Sequence, residues 1–147
     1  MRDVALFLRA LADEARLQIL WLLFNQEELC VCDMVEALGI TQSKASRHLA
    51  TLRHAGLVID RRDGAWSYYS LRAPKSPLEC SVLESLRSEL GRRRDAGSLT
   101  KDLTRWLARK ERGATCSASA SSSSKSKRKP PARRRATAAA ASEGVSR

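Results

Sequence analysis

The amino-acid sequence predicts a mainly α-helical fold of the α+β class that contains one small β-hairpin. Apolar residues recur with helical spacing in several short segments of the first 110 residues. Gly39 lies between two of these segments, and Asp63-Gly64 lies between two runs of β-forming residues. Because helix, glycine turn, helix and hairpin follow one another in this order, we predict a winged helix-turn-helix domain.

The first two helices are predicted to form a scaffold. The first has apolar residues at helical spacing, and Asp13 is a candidate N-terminal cap for the second. The apolar positions of the second helix are dense enough to be mostly buried. They are Val4, Phe7, Leu8 and Leu11 in the first helix, and Leu17, Leu20, Trp21, Leu23 and Phe24 in the second.

The next two helices are short and form the predicted helix-turn-helix. An apolar stripe in the third helix stops at Gly39, and Thr41 is a candidate cap for the fourth. The fourth helix has its own apolar inner face, which would pack on the third. The apolar positions are Val31, Met34, Val35 and Leu38 in the third helix, and Ala45, Leu49 and Leu52 in the fourth.

A hairpin and a fifth helix follow. Residues 57–59 and 66–71 are rich in β-forming side chains, so the hairpin is predicted to be the wing. Ser76 and Glu79 form a candidate capping box, with Pro77 at the first helical position. The apolar stripe of this helix is available for a partner, and because so short a domain gains core by pairing, we predict a homodimer. The stripe consists of Leu78, Val82, Leu83, Leu86 and Leu90, and the helix is predicted to end at Gly91.

Three regions follow from these elements. Residues 1–92 are predicted to be the winged helix-turn-helix DNA-binding and dimerisation domain, and residues 93–112 an additional C-terminal helix. That helix has apolar positions at Leu99, Leu103, Trp106 and Leu107. Residues 113–147 are rich in Ser, Ala and Arg without apolar periodicity, which predicts a disordered basic tail.

The net charge of +11 is distributed unevenly along the chain. Residues 112–147 contain nine Lys or Arg residues and one acidic residue, so they carry +8, and residues 1–111 carry only +3. The basic clusters 127–129 and 133–135 would bind phosphate without sequence preference, which leaves a nonspecific architectural DNA-binding protein as an alternative. The overall charge therefore does not show that the folded part reads DNA.

Other functional classes have less support. The longest apolar run, residues 19–24, is too short for a membrane span or a signal peptide, so we predict a cytoplasmic, nucleoid-associated bacterial protein with no membrane partner. No paired carboxylates, nucleophile with a nearby base or phosphate-binding glycine loop is evident. We therefore predict that the chain is not an enzyme.

The outer face of residues 41–54 is predicted to read double-stranded DNA. It carries short polar and cationic side chains, which allow a helix to enter the major groove while cations contact phosphate. Two arginines beside the hairpin turn could enter the minor groove. The candidates are Gln42, Ser43, Ser46 and Arg47 for base edges, Lys44, His48, Thr51 and Arg53 for the backbone, and Arg61 and Arg62 on the wing.

Two thiols, Cys30 and Cys32, lie at the start of the predicted third helix. Four cysteines with irregular spacing in a reducing compartment favour reactive or metal-binding thiols over disulfides. In a regular helix, residues i and i+2 lie about 200° apart, so one small ion can bind both sulfurs only if the first turn is frayed or extended. Such a pair could instead sense oxidants, and the spacing does not separate the two possibilities.

The sequence resembles the arsenic-responsive ArsR/SmtB family of winged-helix regulators over about residues 1–92. The Cys-Val-Cys-Asp element is similar to that of the arsenite sensors in this family. The matching segments are residues 11–16 (LADEAR), 28–33 (ELCVCD), 46–49 (SRHL), 52–58 (LRHAGLV) and 60–64 (DRRDG), followed by Trp66 and Tyr68-Tyr69.

This resemblance implies a homodimeric repressor on the operator of an arsenic resistance operon. It would need no cofactor and would leave the DNA when trivalent arsenic, as arsenite or an organoarsenical, or antimonite binds to Cys30 and Cys32. Arsenite sensors of this type have a third cysteine where this chain has Val35. The third ligand could be Cys80, Cys116 or a small cellular thiol, or it could be unnecessary for a methylated or aryl arsenical, which has two exchangeable positions.

Overall fold

A computed structural model of the chain describes residues 1–113; residues 114–147, which include Cys116 and most of the predicted tail, lie outside the described part. Six helices and three strands follow one another along these residues. They are α1 (Arg2–Leu11), α2 (Glu14–Asn25), β1 (Leu29–Cys30), α3 (Val31–Leu38), α4 (Gln42–His54), β2 (Val58–Asp63), β3 (Trp66–Leu71), α5 (Pro77–Gly91) and α6 (Arg94–Glu111).

Polar caps define where the helices begin, as the sequence predicts. Asp13 accepts a hydrogen bond from the backbone N–H of Arg16 at 3.0 Å, and Thr41 accepts one from Lys44 at 3.3 Å. Gly39 ends α3 with a φ of 64°, a left-handed conformation that glycine adopts without steric cost. Helix α3, the Gly39 turn and α4 follow one another as predicted, so the helix-turn-helix prediction is confirmed.

The start of α5 differs in one detail from the predicted capping box. Ser76 accepts a hydrogen bond from the backbone N–H of Glu79, as predicted, and Pro77 is the first helical residue. The carboxylate of Glu79 accepts a hydrogen bond from the backbone N–H of Lys75 at 2.7 Å, one residue before the predicted donor. The carboxylate also pairs with Arg72, the residue that follows β3, so the start of α5 is connected to the end of the wing.

The sheet has three antiparallel strands in the order β1-β3-β2. The hairpin of β2 and β3 is confirmed, with Asp63 opposite Trp66 and Gly64 in the turn at a φ of 61°. The sequence prediction lacked β1, whose residue Cys30 lies opposite Tyr68. A two-residue strand is too short to show an alternating pattern, and it exists only because β3 supplies an edge to pair with.

The core lies between the first four helices and the sheet, and α6 covers one side of it. Leu20, Met34 and Leu49 have no exposed surface. The C-terminal helix contributes Leu103 and Trp106 to the same cluster. The apolar face predicted for α6 therefore packs on the domain itself.

Helices α1 and α5 leave apolar side chains uncovered. Val4 and Leu8 of α1 are 43% and 47% exposed, and Leu78 of α5 is 45% exposed. No side chain of α5 is fully buried. Within residues 1–113, no helix is both long and apolar enough to cross a bilayer.

Candidate thiol site and DNA-binding surface

Cys30 lies at the junction of a strand and a helix. It is the last residue of β1 and the N-cap of α3, with φ of −82° and ψ of 163°. Cys32 follows in the first turn of α3. Because Cys30 is extended, the 200° separation of a regular helix does not apply to this pair. Only Cys30 departs from helical geometry, since Cys32 is a helical residue of α3.

The carboxylate of Asp33 organises the first turn of α3. Its Oδ2 accepts a hydrogen bond from the backbone N–H of Cys30 at 3.0 Å. Its Oδ1 accepts one from the indole Nε1 of Trp106 at 2.9 Å and one from Nζ of Lys110 at 2.7 Å. Asp33 is only 3% exposed, so the charge of Lys110 compensates for much of the cost of burying this carboxylate.

The contacts of Lys110 and Trp106 with this turn were not predicted from the sequence. They join residues that lie 73 and 77 positions apart in the chain. Trp106 shows only as one member of an apolar stripe, and Lys110 as one of many surface cations. A buried carboxylate needs polar partners, but neither helical periodicity nor spacing identifies them.

The environment of Cys30 disfavours its thiolate. Burial raises the pKa of the Cys30 thiol, and the Asp33 carboxylate raises it further, whereas Lys110 lowers it. Nζ of Lys110 lies 3.3 Å from Sγ of Cys30. Burial by itself would lower the pKa of Lys110, but its hydrogen bond and ion pair with Asp33 outweigh this, so that its pKa is raised. Lys110 therefore remains a cation beside the sulfur.

The other cysteines are in different states. Cys80 is a free thiol on the first turn of α5, 3.6 Å from Oε1 of Glu84, and the charge of Glu84 raises its pKa. Cys32 is disulfide-bonded, in contrast to the predicted absence of disulfides, so its sulfur can act as a ligand only after reduction. Within residues 1–113, no cluster of three or more His, Cys, Asp or Glu side chains has the geometry of a metal site. Cys80 therefore does not form a candidate metal site together with Cys30 and Cys32.

A cavity of about 420 Å³ lies beside Cys30 and Cys32. One wall consists of Cys30 and the α3 residues Val31, Cys32 and Val35. The opposite walls come from the beginning of α4 and from the wing. Their residues are Gln42, Ser46, Arg62, Ala65, Trp66, Ser67 and Tyr69. The cavity therefore touches both elements that are predicted to contact DNA.

The outer face of α4 has the predicted division of side chains. Ala45, Leu49 and Leu52 are fully buried, while the predicted base-reading side chains are exposed. The predicted DNA contacts that are exposed on this helix are Gln42, Ser43, Lys44, Ser46, Arg47, Thr51 and Arg53. The side chains that α4 presents to solvent therefore have the composition of a surface that binds in the major groove.

Several predicted phosphate contacts are engaged within the protein. Nδ1 of His48 lies 3.6 Å from Oδ1 of Asp13, and Arg53 pairs with Asp60 at 3.3 Å. On the wing, Arg61 makes a two-point contact with Glu28, from NH2 to Oε1 at 2.8 Å and from Nε to Oε2 at 3.3 Å. The Arg61 guanidinium also lies 4.8 Å from the centre of the Tyr68 ring.

Arg62 is exposed and lines the cavity, so it is the wing arginine with the freer orientation. Glu28 was not predicted as part of the site. It lies two residues before Cys30, so the segment that carries the thiol is connected to the wing by an ion pair as well as by the β1–β3 pairing.

Comparison with known proteins identifies the family. Residues 13–60 match the model described as bacterial regulatory protein, arsR family. The structure superposes on HlyU from Vibrio cholerae N16961 with a TM-score of 0.52 and 36% identity, over 59% of this chain and 90% of that one. The chain belongs to the arsR family. The winged-helix fold of this arsR-family chain is therefore confirmed by its structural neighbours as well.

Curated relatives of this arsR-family chain are transcriptional regulators, in agreement with the prediction of a regulator rather than an enzyme. The arsenical resistance operon repressor of Escherichia coli is 54% identical over 43% of this chain and 54% of its own. The arsenic resistance transcriptional regulator ArsR1 of Pseudomonas putida is 48% identical over 47% and 53%. A cadmium resistance regulatory protein CadC homolog of Staphylococcus aureus is 39% identical over 47% and 57%. The chain thus spans little more than half the length of these relatives.

Proposed function

We propose that this chain is a transcriptional repressor that binds operator DNA and is released when trivalent arsenic binds Cys30 and Cys32. One observation carries the proposal: the two cysteines border the same cavity as the start of α4 and the wing. A ligand bound to the sulfurs therefore acts within contact distance of the surfaces that would read DNA. The names of the arsenic resistance relatives agree with this function.

The donor atoms favour trivalent arsenic over a harder ion. Sulfur is the donor that thiophilic ions prefer, and the only carboxylate in the first turn of α3, Asp33, is committed to Lys110 and Trp106. Residues 1–113 have no third His, Cys, Asp or Glu arranged with the pair, which favours a trivalent arsenical with one organic substituent and two exchangeable positions over cadmium, the metal named for one relative. Antimonite has the same preference for thiolates and is expected to act similarly.

Release would follow from a change at the β1–α3 junction. Joining both sulfurs to one arsenic draws Cys30 and Cys32 together and alters the first turn of α3. Because Cys30 pairs with Tyr68 of β3, and Glu28 pairs with Arg61 of β2, the displacement is passed to the wing. A ligand that binds this altered form better than the DNA-bound form lowers DNA affinity, with couplings typically about 1–3 kcal/mol.

The uncovered apolar faces of α1 and α5 fit a second copy of the chain. Val4, Leu8 and Leu78 are each more than two-fifths exposed, and an apolar groove of about 650 Å³ lies between α2 and α5. A homodimer would cover these faces. Its two α4 helices could then enter successive major grooves about 34 Å apart, which predicts an inverted repeat in the operator.

Fluorescence anisotropy of the reduced protein on its own upstream DNA tests the proposal. We expect arsenite or phenylarsine oxide to weaken operator binding by about 5- to 150-fold at fixed salt. A Cys30→Ser/Cys32→Ser variant should bind the operator but ignore both arsenicals, and Cys80→Ser should respond like the native chain. Unchanged operator binding of the native protein with every arsenical would refute the proposed inducer.

Recognition by α4 has its own test. Replacing Arg47, which is exposed near the start of α4, with alanine should weaken operator binding by about 1–3 kcal/mol. Arg105→Ala on the outer face of α6 is the matched control, because it removes an exposed arginine far along the chain from α4. If Arg105→Ala weakens binding as much as Arg47→Ala does, α4 is not the reading helix.

A thiol redox regulator is a second candidate, favoured by the two cysteines that lie two positions apart at the start of α3. Forming a disulfide transfers two electrons from two thiols to an oxidant such as a peroxide, which is reduced to water. The same anisotropy assay separates the two functions. Release by hydrogen peroxide, together with no release by arsenicals in the presence of a phosphine reductant, would support the redox regulator.

A further inference from the structure

The cavity beside Cys30 and Cys32 is much larger than an inorganic ion needs. Its volume of about 420 Å³ falls within the roughly 300–1,000 Å³ that is usual for small-molecule sites. Arsenite is comparable in size to a few water molecules, each of which occupies about 30 Å³ in the liquid. Most of the cavity would therefore be filled by water if inorganic arsenite were bound at the two sulfurs.

We propose that this cavity is a binding subsite for the organic group of a trivalent organoarsenical, preferably an aryl group, whose arsenic is bound by Cys30 and Cys32. This inference rests on the proposed function and specifies the class of inducer. Three features support it: the size of the cavity, the number of sulfurs that border it, and the two aromatic side chains, Trp66 and Tyr69, in a wall that is otherwise largely polar.

The number of sulfurs matches a monosubstituted arsenical. Val35 borders the same cavity and is 9% exposed, and its side chain offers no third sulfur there. Each of two As–O bonds of R–As(OH)₂ is replaced by an As–S bond, and each thiol proton leaves with a hydroxide as water. The oxidation state of arsenic does not change, and the As–C bond remains intact. The disulfide of Cys32 must first be opened by a thiol or phosphine reductant, which supplies two electrons.

The opposite wall offers surfaces on which an aromatic group can pack. Trp66 and Tyr69 of β3 both border the cavity, and Trp66 is half exposed. Aromatic pairs in offset or edge-to-face contact are favourable beyond the burial of their surface. Ser46 of α4 faces the same space, so the organic group would lie between the recognition helix and the wing. A larger group is thus expected to disturb both DNA-reading elements more than a small one.

A cavity-filling substitution tests the subsite. Ser67 borders the cavity from β3, and Ser70, on the opposite face of the same strand, does not. We would measure binding of phenylarsine oxide, methylarsenite and arsenite to the reduced full-length protein, using dithiothreitol as a reference dithiol. Relative to this reference, the native chain should prefer the phenyl over the methyl compound by about tenfold or more.

Ser67→Phe should remove most of that preference while leaving methylarsenite affinity nearly unchanged, and Ser70→Phe should retain the preference. Ala65→Leu, which fills the cavity from the hairpin turn, serves if Ser67→Phe does not fold. Two results would overturn the subsite while the proposed function stands. The native chain could show the same ratio of phenylarsine oxide to methylarsenite affinity as dithiothreitol does, or neither cavity-filling variant could change that ratio. Failure of all three arsenicals to bind the native protein would instead overturn the proposed function.

Discussion

Replacing Asp33 with alanine is expected to lower the free energy of unfolding by about 3–5 kcal/mol. The substitution removes the acceptor for the backbone N–H of Cys30, for the Trp106 indole and for Lys110 at once. It leaves a partly buried ammonium without its carboxylate and an indole N–H without its partner, and both changes are costly. Urea denaturation of the reduced protein, followed by circular dichroism, measures the difference.

Asp102→Ala is the matched control for this measurement. Asp102 also pairs with a cation on α6, Arg105, but both side chains are at least half exposed. Exposed pairs contribute typically less than about 1 kcal/mol, so this variant should unfold almost like the native chain. If Asp33→Ala costs no more than Asp102→Ala, the carboxylate does not hold α3 and α6 together.

Introducing a third thiol at Val35 is expected to raise the affinity for inorganic arsenite by about a hundredfold, because the added ligand is already held beside the other two. Val35 borders the same cavity as Cys30 and Cys32. Equilibrium binding of arsenite to the reduced Val35→Cys variant and to the native chain measures the gain. Methylarsenite, which has only two exchangeable positions, should bind both chains with similar affinity.

Val35→Ser is the control, since it introduces a polar side chain of similar size to cysteine without the soft donor. It should leave arsenite affinity near the native value. An equal gain for Val35→Ser and Val35→Cys would show that polarity and not sulfur ligation is responsible, and no gain for Val35→Cys would contradict the placement of arsenic at this pair.

The contacts of α6 give the thiol site a physical link to the C-terminal helix. Trp106 and Lys110 meet Asp33, and Asp33 holds the backbone of Cys30. A ligand that changes the first turn of α3 therefore acts directly on the buried ion pair between Asp33 and Lys110. A ligand that broke this pair would leave a half-satisfied buried network, which is less stable than a complete one.

The elements that depend on neighbouring residues were predictable. Caps at Asp13, Thr41 and Ser76, the glycine at residue 39 and the Asp63-Gly64 turn act within four residues along the chain, so their effects appear directly in the sequence. The inner and outer faces of α4 were predictable as well, since helical periodicity assigns them without knowledge of the rest of the fold.

The candidate site was predictable only in part. The two adjacent cysteines and the polar face of α4 are visible in the sequence, but their common cavity depends on how the wing packs against α3. The disulfide of Cys32 was not expected, because an irregular cysteine spacing does not indicate pairing.

By itself, the sequence determined which segments are helices, where the hairpin turns and which thiols and cations are available, because these properties arise from local sterics and periodicity. The tertiary structure alone decided that Cys30 becomes a strand residue opposite Tyr68, that Asp33 meets Trp106 and Lys110, and that Glu28 engages Arg61. These contacts join residues more than 30 positions apart, and their partners are selected by packing and by the cost of burying an unpaired charge, neither of which has a sequence period.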